Sequence, residues 1–237
     1  MNADSPQTLE LHLTPGHPCA YLPGRTARTA FVDPDLVMDG NLYGLLAAHG
    51  FRRSGPHVYR PHCPSCRACV PVRVPVAEFK PDRTQRRVWR RNADLSVELL
   101  PTTFRPEHYQ LFTRYLEARH PGGGMQGGEE SDYSQFLMSP WGESFLMELR
   151  RDDELLAVAV VDEIKDALSA VYTFYEPGLP ERSLGTFAIL REIEEARARG
   201  LDWLYLGYWI ADSRKMAYKD HYRPLERLGM DGWERVE

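Results

Sequence analysis

The sequence predicts an α/β fold of the α+β kind, with helices and strands following one another in its larger C-terminal part and a smaller cysteine-bearing part before it. Three observations predict this. From Pro106 onward the apolar periodicity reads helix, three strands, helix, strand, helix. All four cysteines fall within the first 69 residues. Charge divides along the chain as well: residues 1–100 hold 13 Lys/Arg against 9 Asp/Glu, a net of +4, and residues 101–237 hold 16 against 25, a net of −9. The expected division is therefore residues 1–100 and residues 101–237. With 237 residues, 43% of them hydrophobic, the chain can bury a sizeable core.

Each element has its own warrant. The first 37 residues, rich in Pro, Gly, Thr and His, read as irregular chain wrapped on the fold. Asp39 stands at the start of a short helix, Asn41–His49, that sets Leu42, Leu45 and Leu46 on one face and stops at Gly50. Between His57 and Phe79 come the cysteines and then the alternation Val70, Val72, Val74, Val76, a strand whose prolines suit a sheet edge. Asp82–Arg91 is a basic helix, and Leu95–Leu100 returns to strand. Pro106 suits the first turn of a helix to Arg119 with Tyr109, Phe112, Tyr115 and Leu116 as its stripe. Residues 121–128, PGGGMQGG, form no regular element cheaply and mark a mobile loop or a close ligand approach. A brief helix at Tyr133–Met138 precedes strands at Ser144–Arg150, Leu155–Val161 and Ala167–Tyr175, the first two joined by a turn at Arg151–Asp153. Gly185–Arg199 is a helix with Ile189, Leu190 and Ile193 inward and Gly200 as its stop. The strand Asp202–Tyr208 leads to a helical and looped tail. This order is that of the acetyltransferase-like GNAT fold.

No stretch nears the roughly 18 apolar residues of a membrane helix, and MNADSPQTLE lacks the basic and apolar regions of a signal peptide, so no membrane partner and a cytoplasmic location are expected. In a reducing compartment Cys63-x-x-Cys66-x-x-Cys69, with Cys19 as a fourth thiolate and His57 and His62 as spare ligands, reads as a zinc or iron–sulfur site or else as packing. On the basic helix Arg83, Arg86, Arg87 and Arg90 recur at spacings of three and four, with Lys80 and Arg91 adding charge, a strip for phosphates or for an acceptor carboxylate. Trp89 among them could stack an unpaired base. The run Arg182-Ser183-Leu184-Gly185-Thr186-Phe187 resembles the pyrophosphate loop of coenzyme A-dependent GNAT enzymes, but Phe187 puts a ring where the backbone would approach the pyrophosphate. Coenzyme A is thereby disfavoured as donor, while Arg182 still suits a less intimate phosphate.

Several long blocks carry a resemblance. MDGNLYGLLAAHGFRRSGPHVYRPHCPSCRACVPVRV, FKPDRTQRRVWRRNADL, and SLGTFAILREIEEARARGLDWLYLGYWI followed by KMAYKDHYRP resemble the bacterial aspartate/glutamate leucyltransferases, relatives of the eukaryotic arginyl-tRNA–protein transferases. The resemblance implies a GNAT-like catalytic domain and transfer of an amino acid from charged tRNA, leucyl-tRNA before arginyl-tRNA, to proteins beginning with Asp or Glu. It also implies a place in the N-degron pathway. Such a reaction requires no cofactor and no nucleophilic triad, because the ester is already activated and an N-terminal amine of pKa about 8 is partly neutral. Tyr172, Tyr175 and Tyr208, with Tyr205, Lys215 and Lys219, are the expected lining of the cleft, or else core aromatics and surface lysines. A metal-containing RNA-binding protein is the non-enzymatic alternative.

Overall fold

The computed structural model describes residues 9–122 and 127–237. Its N-terminal half contains β1 (Leu11–Leu13), β2 (His17–Pro18), β3 (Thr26–Ala27), β4 (Thr29–Val32), α1 (Gly40–Ala48), β5 (Arg52–Ser54), β6 (His57–Pro61), β7 (Val70–Pro75), α2 (Arg83–Arg91) and β8 (Ser96–Pro101). Then follow α3 (Pro106–Arg119), α4 (Glu130–Leu137), β9 (Glu143–Arg151), β10 (Glu154–Ile164), β11 (Ala167–Tyr175), α5 (Leu184–Ala198), β12 (Trp203–Trp209), β13 (Leu225–Leu228) and β14 (Trp233–Val236). Residues 123–126 of the glycine-rich run lie outside the described residues.

One mixed sheet of eight strands, ordered β14-β13-β7-β12-β11-β10-β9-β8, organises the molecule. Its pairs are antiparallel except β11 with β12. The alternation of β10 assigns the two faces. Ala157, Ala159 and Val161 meet Phe187, Leu190 and Ile193 of α5, against which α2 leans with Val88 and Trp89. Val158 and Val160 meet Leu111, Phe112 and Leu116 of α3 and Tyr133 and Leu137 of α4. Farther along that second face Ile164 joins Ala167 and Tyr205 beneath Tyr43 and Leu46 of α1 and Val58 of β6. There Arg53, wholly buried, donates from Nε and Nη2 to the two oxygens of buried Asp162 at 2.7 and 2.5 Å, fastening the small sheet β1-β4-β6-β5 to β10.

Four expectations need correction. β7 is no edge strand: it lies between β13 and β12, and Val72 and Val74 are buried. Prolines are tolerated there because β13 meets β7 only at Val72 and Arg73, so Pro71 and Pro75 each face one neighbour, β12. The tail is not helical and looped throughout, since its last part pairs as the hairpin β13–β14. The first 37 residues contain the short strands β1 to β4 rather than irregular chain alone. Asp39 does cap α1 by accepting from the Leu42 amide, but the face turned inward is Tyr43, Leu46 and Ala47, and Leu45 is 63% exposed.

Candidate functional site

β11 and β12 are paired only over Ala167–Ser169 and Trp203–Tyr205; beyond that they part. Both are irregular at the divergence, β11 by a register shift against β10 at Val160/Val161 and β12 by one against β7 at Tyr205/Gly207, where Gly207 has φ +79°. Two neighbouring strands that separate leave backbone groups without partners. Arg52 of β5 fills that wedge. Its Nη1 donates to Ser169 Oγ at 2.8 Å and its Nη2 to the Ala170 carbonyl. A Cβ on Gly207 would stand 3.2 Å from Arg52 Nε, so the glycine permits both the turn of the strand and the guanidinium beside it.

Aromatic rings line the opening. Tyr175 lies 4.9 Å from Tyr115 of α3 between ring centres, Tyr172 stands 5.1 Å from Phe136, and the Tyr172 hydroxyl is buried without a partner among the described residues. Burial, with Tyr175 nearby, pushes that hydroxyl up to about 12. A Cβ on Gly185, at the start of α5, would lie 3.1 Å from the Tyr175 ring, which brings the helix N-terminus against the same wall. Tyr208 plays a different role, donating its hydroxyl to the Gly50 carbonyl at 2.8 Å and so securing the end of α1. Tyr205 is buried on the face under α1 and accepts from Arg73 Nη1 at 3.0 Å.

Charged groups gather behind this wall. Lys219 is buried and donates to the Tyr208 carbonyl at 2.8 Å; burial, then the Arg52 charge, push it down to about 7 against the pull of Cys69. Glu192 of α5 is fully buried with both oxygens unpartnered among the described residues, and burial pushes it up to about 8 although Arg52 opposes. Tyr218, 41% exposed, is raised by burial, Glu192 and Tyr175. At the mouth, Lys215 and Arg119 are exposed beside His120, whose pKa burial and these two cations hold down. Two groups able to take a proton near neutral pH therefore lie within electrostatic reach of Arg52 and of the tyrosines.

The basic strip is built as the spacing predicts. Asp82 and Gln85 close a reciprocal cap, Gln85, Val88 and Asn92 face inward, and Arg83, Arg86, Arg87 and Arg90 are exposed. None of those four arginines makes an ion pair among the described residues. Trp89 is half-buried, its ring 5.5 Å from Phe187 and under the guanidinium of Arg191, and it borders a cavity of about 390 Å³ with Phe79, Pro81, Arg86, Arg90, Leu190 and Glu194. Arg182 is engaged elsewhere: it grips Asp94 with two prongs of 3.0 and 2.8 Å, and Asn92 Nδ2 donates to its carbonyl, tying the end of α2 to the start of α5.

The four cysteines are free and half-buried. They lie near enough together that Cys63, Cys19 and Cys66 add to burial in pushing the Cys69 thiol up to about 11. His57 and His62 are exposed. Among the described residues no group of three or more His, Cys, Asp or Glu side chains is placed to hold a metal ion.

Sequence reasoning missed Arg52, Glu192, Arg119, His120, Tyr115 and Tyr218. Arg52 stands in the run Phe51-Arg52-Arg53 and Glu192 in a helix of surface charges, and nothing in their neighbours in sequence marks Arg52 as half-buried or Glu192 as buried.

The chain is similar throughout its length to proteins of one kind. The family model described as "Arginine-tRNA-protein transferase, C terminus" matches residues 107–229, and that described as "Arginine-tRNA-protein transferase, N terminus" matches residues 17–87. A Chromobacterium violaceum protein named "Aspartate/glutamate leucyltransferase" is 49% identical, covering 96% of this chain and 94% of its own length. Proteins of the same name from Marinobacter nauticus, at 50% with 97% of each chain covered, and Nitrosococcus oceani, at 52% with 92% of each, are alike in kind.

Proposed function

The chain belongs to the arginine-tRNA-protein transferase family, as an aminoacyltransferase akin to the aspartate/glutamate leucyltransferases, and from that premise we propose how its geometry performs the transfer. Leucine passes from leucyl-tRNA to the N-terminal amine of a protein beginning with Asp or Glu, which marks that protein for the N-degron pathway. The observation that carries this reading is about 50% identity, over nearly the whole chain, to relatives bearing one name.

The amine attacks the ester carbonyl, the ester C–O bond breaks, the terminal tRNA hydroxyl leaves with a proton, and the attacking nitrogen loses one. Holding amine and ester together in the opening between β11 and β12 contributes most of the acceleration. Tyr172 and Tyr175 line the opening and Tyr208 positions it, and the proton passes from nitrogen to the leaving oxygen directly or through water, while buried Lys219 and Glu192 are assigned no proton in the transfer. The GNAT-like segment, residues 101–237, supplies β11, α5 and β12, and residues 1–100 supply Arg52 and the tRNA-binding strip on α2. Arg83, Arg86, Arg87 and Arg90, exposed and without an ion pair among the described residues, take phosphates of the acceptor arm. The Trp89 cavity suits an unstacked base, and Lys215 with Arg119 suits the acceptor carboxylate or the terminal phosphates. Arg182 acts through Asp94 as a brace rather than as a phosphate ligand. Substrates of this kind place the protein in the cytoplasm; no helix among the described residues is long and apolar enough to cross a membrane.

Zinc or an iron–sulfur cluster at Cys19, Cys63, Cys66 and Cys69 is a separate element of the proposal. The mutual proximity of the thiols supports it, but the cysteines as placed do not converge on one point, and no step of transfer is assigned to a metal. Elemental analysis of anaerobically purified, active protein tests it; less than about a tenth of an equivalent of zinc or iron leaves the cysteines as packing groups.

Assay of the purified protein with separately charged leucyl- and arginyl-tRNA, on peptides beginning with Asp, Glu and Arg, tests the main reading. Leucine should pass to Asp and Glu peptides only. Better use of arginyl-tRNA would overturn the donor, and equal use of the Arg peptide the acceptor.

A further inference from the structure

We propose that the cavity between α2 and α5 takes an unpaired base from the single-stranded end of the tRNA and selects it by its amino group, cytosine over uracil, through Glu194. The inference rests on the transfer reading above and deepens it, naming the base and the residue that reads it.

The cavity, of about 390 Å³, is walled by buried Phe79 and Leu190, by Pro81 and by half-buried Trp89. The indole is held in place: Phe187 meets it edge-on at 5.5 Å, and the Arg191 guanidinium stands 5.2 Å from its centre. A flat base entering beside such walls exchanges water for ring contact, whatever its sequence. Charge then discriminates. From α2 come exposed Arg86 and Arg90, donors for phosphates and ring oxygens, and from α5 comes one acid, exposed Glu194. Glu194 Oε1 accepts from Arg197 Nη1, while Oε2 has no partner among the described residues. A carboxylate only accepts. Cytosine offers it the N4 amino group, whereas uracil has a carbonyl oxygen at the same position and sets lone pairs against lone pairs. The unpaired terminus that tRNAs share, cytidine-cytidine-adenosine, carries an amino group on every base.

The cavity also lies on the way to the reaction site. Arg91 Nη1 donates to the Glu181 carbonyl and Asn92 Nδ2 to the Arg182 carbonyl at 2.8 Å, so α2 ends where α5 begins. There a Cβ on Gly185 would lie 3.1 Å from the Tyr175 ring at the opening. Leu190 and Glu194 stand five and nine residues farther along α5, about 8 and 14 Å from Gly185 along its axis. The base held there is therefore a cytidine that precedes the ester-bearing adenosine, in a strand whose phosphates follow the arginines of α2 toward the opening.

The test uses binding without transfer. An RNA hairpin ending in an unpaired cytidine-cytidine-adenosine should bind the wild-type protein about tenfold more tightly than the same hairpin ending in uridine-uridine-adenosine. It should also quench tryptophan fluorescence, and Trp89→Phe should abolish that quenching. Glu194→Ala should bring the ratio of the two affinities close to one. The variant should fold, since Glu194 is exposed and Arg197 keeps its bonds to the Val76 and Phe79 carbonyls. Charge alone would act differently, because removing an acid from a basic surface tightens both hairpins equally. Equal wild-type affinities, an unchanged ratio in Glu194→Ala, or undiminished quenching in Trp89→Phe would overturn the proposal. A protein that prefers the cytidine hairpin through Glu194 yet transfers nothing to Asp or Glu peptides would refute the transfer reading and leave the cavity's assignment standing. One that transfers leucine yet ignores the cytidines would do the reverse.

Discussion

At the scale of the residue, Arg52 takes the place that a neighbouring strand holds elsewhere in the sheet, giving Ser169 and the Ala170 carbonyl partners where β12 has turned away. Arg52→Ala strips those partners and should cost about 1–3 kcal/mol in urea denaturation, with transfer lowered at least about tenfold. Arg52→Lys should recover little, because an ammonium cannot span both acceptors in one plane. Wild-type stability and turnover in the alanine variant would remove Arg52 from the site. Glu192 and Lys219 make the second residue-scale prediction through pH. The folded pKa of Glu192, about 8, exceeds its unfolded value, so its contribution to stability is complete below about 4.5 and declines as pH rises through about 8. Lys219 is the opposite: its folded value, about 7, lies below the unfolded one, so its contribution is complete above about 10.5 and is lost as pH falls through about 7. Replacing Glu192 by Gln should accordingly make the protein gain stability relative to wild type from pH 5 to 8, by about 1.4 kcal/mol per pH unit at most. Urea melts at pH 5, 6, 7 and 8 measure the slope, and parallel curves for the two proteins would show that Glu192 is charged in the fold.

At the scale of the element, α2 presents Arg83, Arg86, Arg87 and Arg90 to solvent while Gln85, Val88 and Asn92 hold it to α5 and the tail. Arg86→Glu with Arg87→Glu should therefore leave the melting temperature nearly unchanged and weaken tRNA binding. The salt dependence of the remaining affinity should flatten by roughly one unit per contact removed. Filter binding across a salt series checks both, and an unchanged slope would assign the strip another partner. α2 is also among the most legible elements, since Asp82 with Gln85 announces the cap and Val88 the inward apolar face. The helices α3 and α5 and the strands β10 and β11 follow equally from periodicity. What the sequence conceals depends on distant partners. β13 and β14, written LERL and WERV, alternate too weakly to be told from loop and become strands because β7 offers an edge. Arg52 and Glu192 read as surface charges, and their roles arise from a sheet that opens more than a hundred residues after one of them. The tyrosines of β11 are legible because their strand is.

At the scale of the whole molecule, the large sheet runs across residue 100. β7 and β8 come from the first hundred residues, and β7 stands between β12 and β13. A fragment of residues 101–237 would lack the strand that joins β13–β14 to the rest, and Leu204 and Leu206 would lose Val72 and Val74 as neighbours. It should show no cooperative thermal transition by circular dichroism, whereas the full chain should melt in one; a fragment with a sharp transition and dispersed amide resonances would contradict this. The placement of β7 also fixes a timetable. The small sheet β1-β4-β6-β5 can close as soon as residue 61 has been made. Val70–Pro75 cannot, because both its partners are encoded beyond residue 202. At about 5–20 residues per second the ribosome needs on the order of ten seconds to reach Trp209 after Pro75, and through that interval an apolar strand with two open edges waits on the nascent chain. Soluble yield in a cell should then respond to elongation speed and to chaperones that shield extended apolar segments, even for variants whose finished fold is as stable as the parent's.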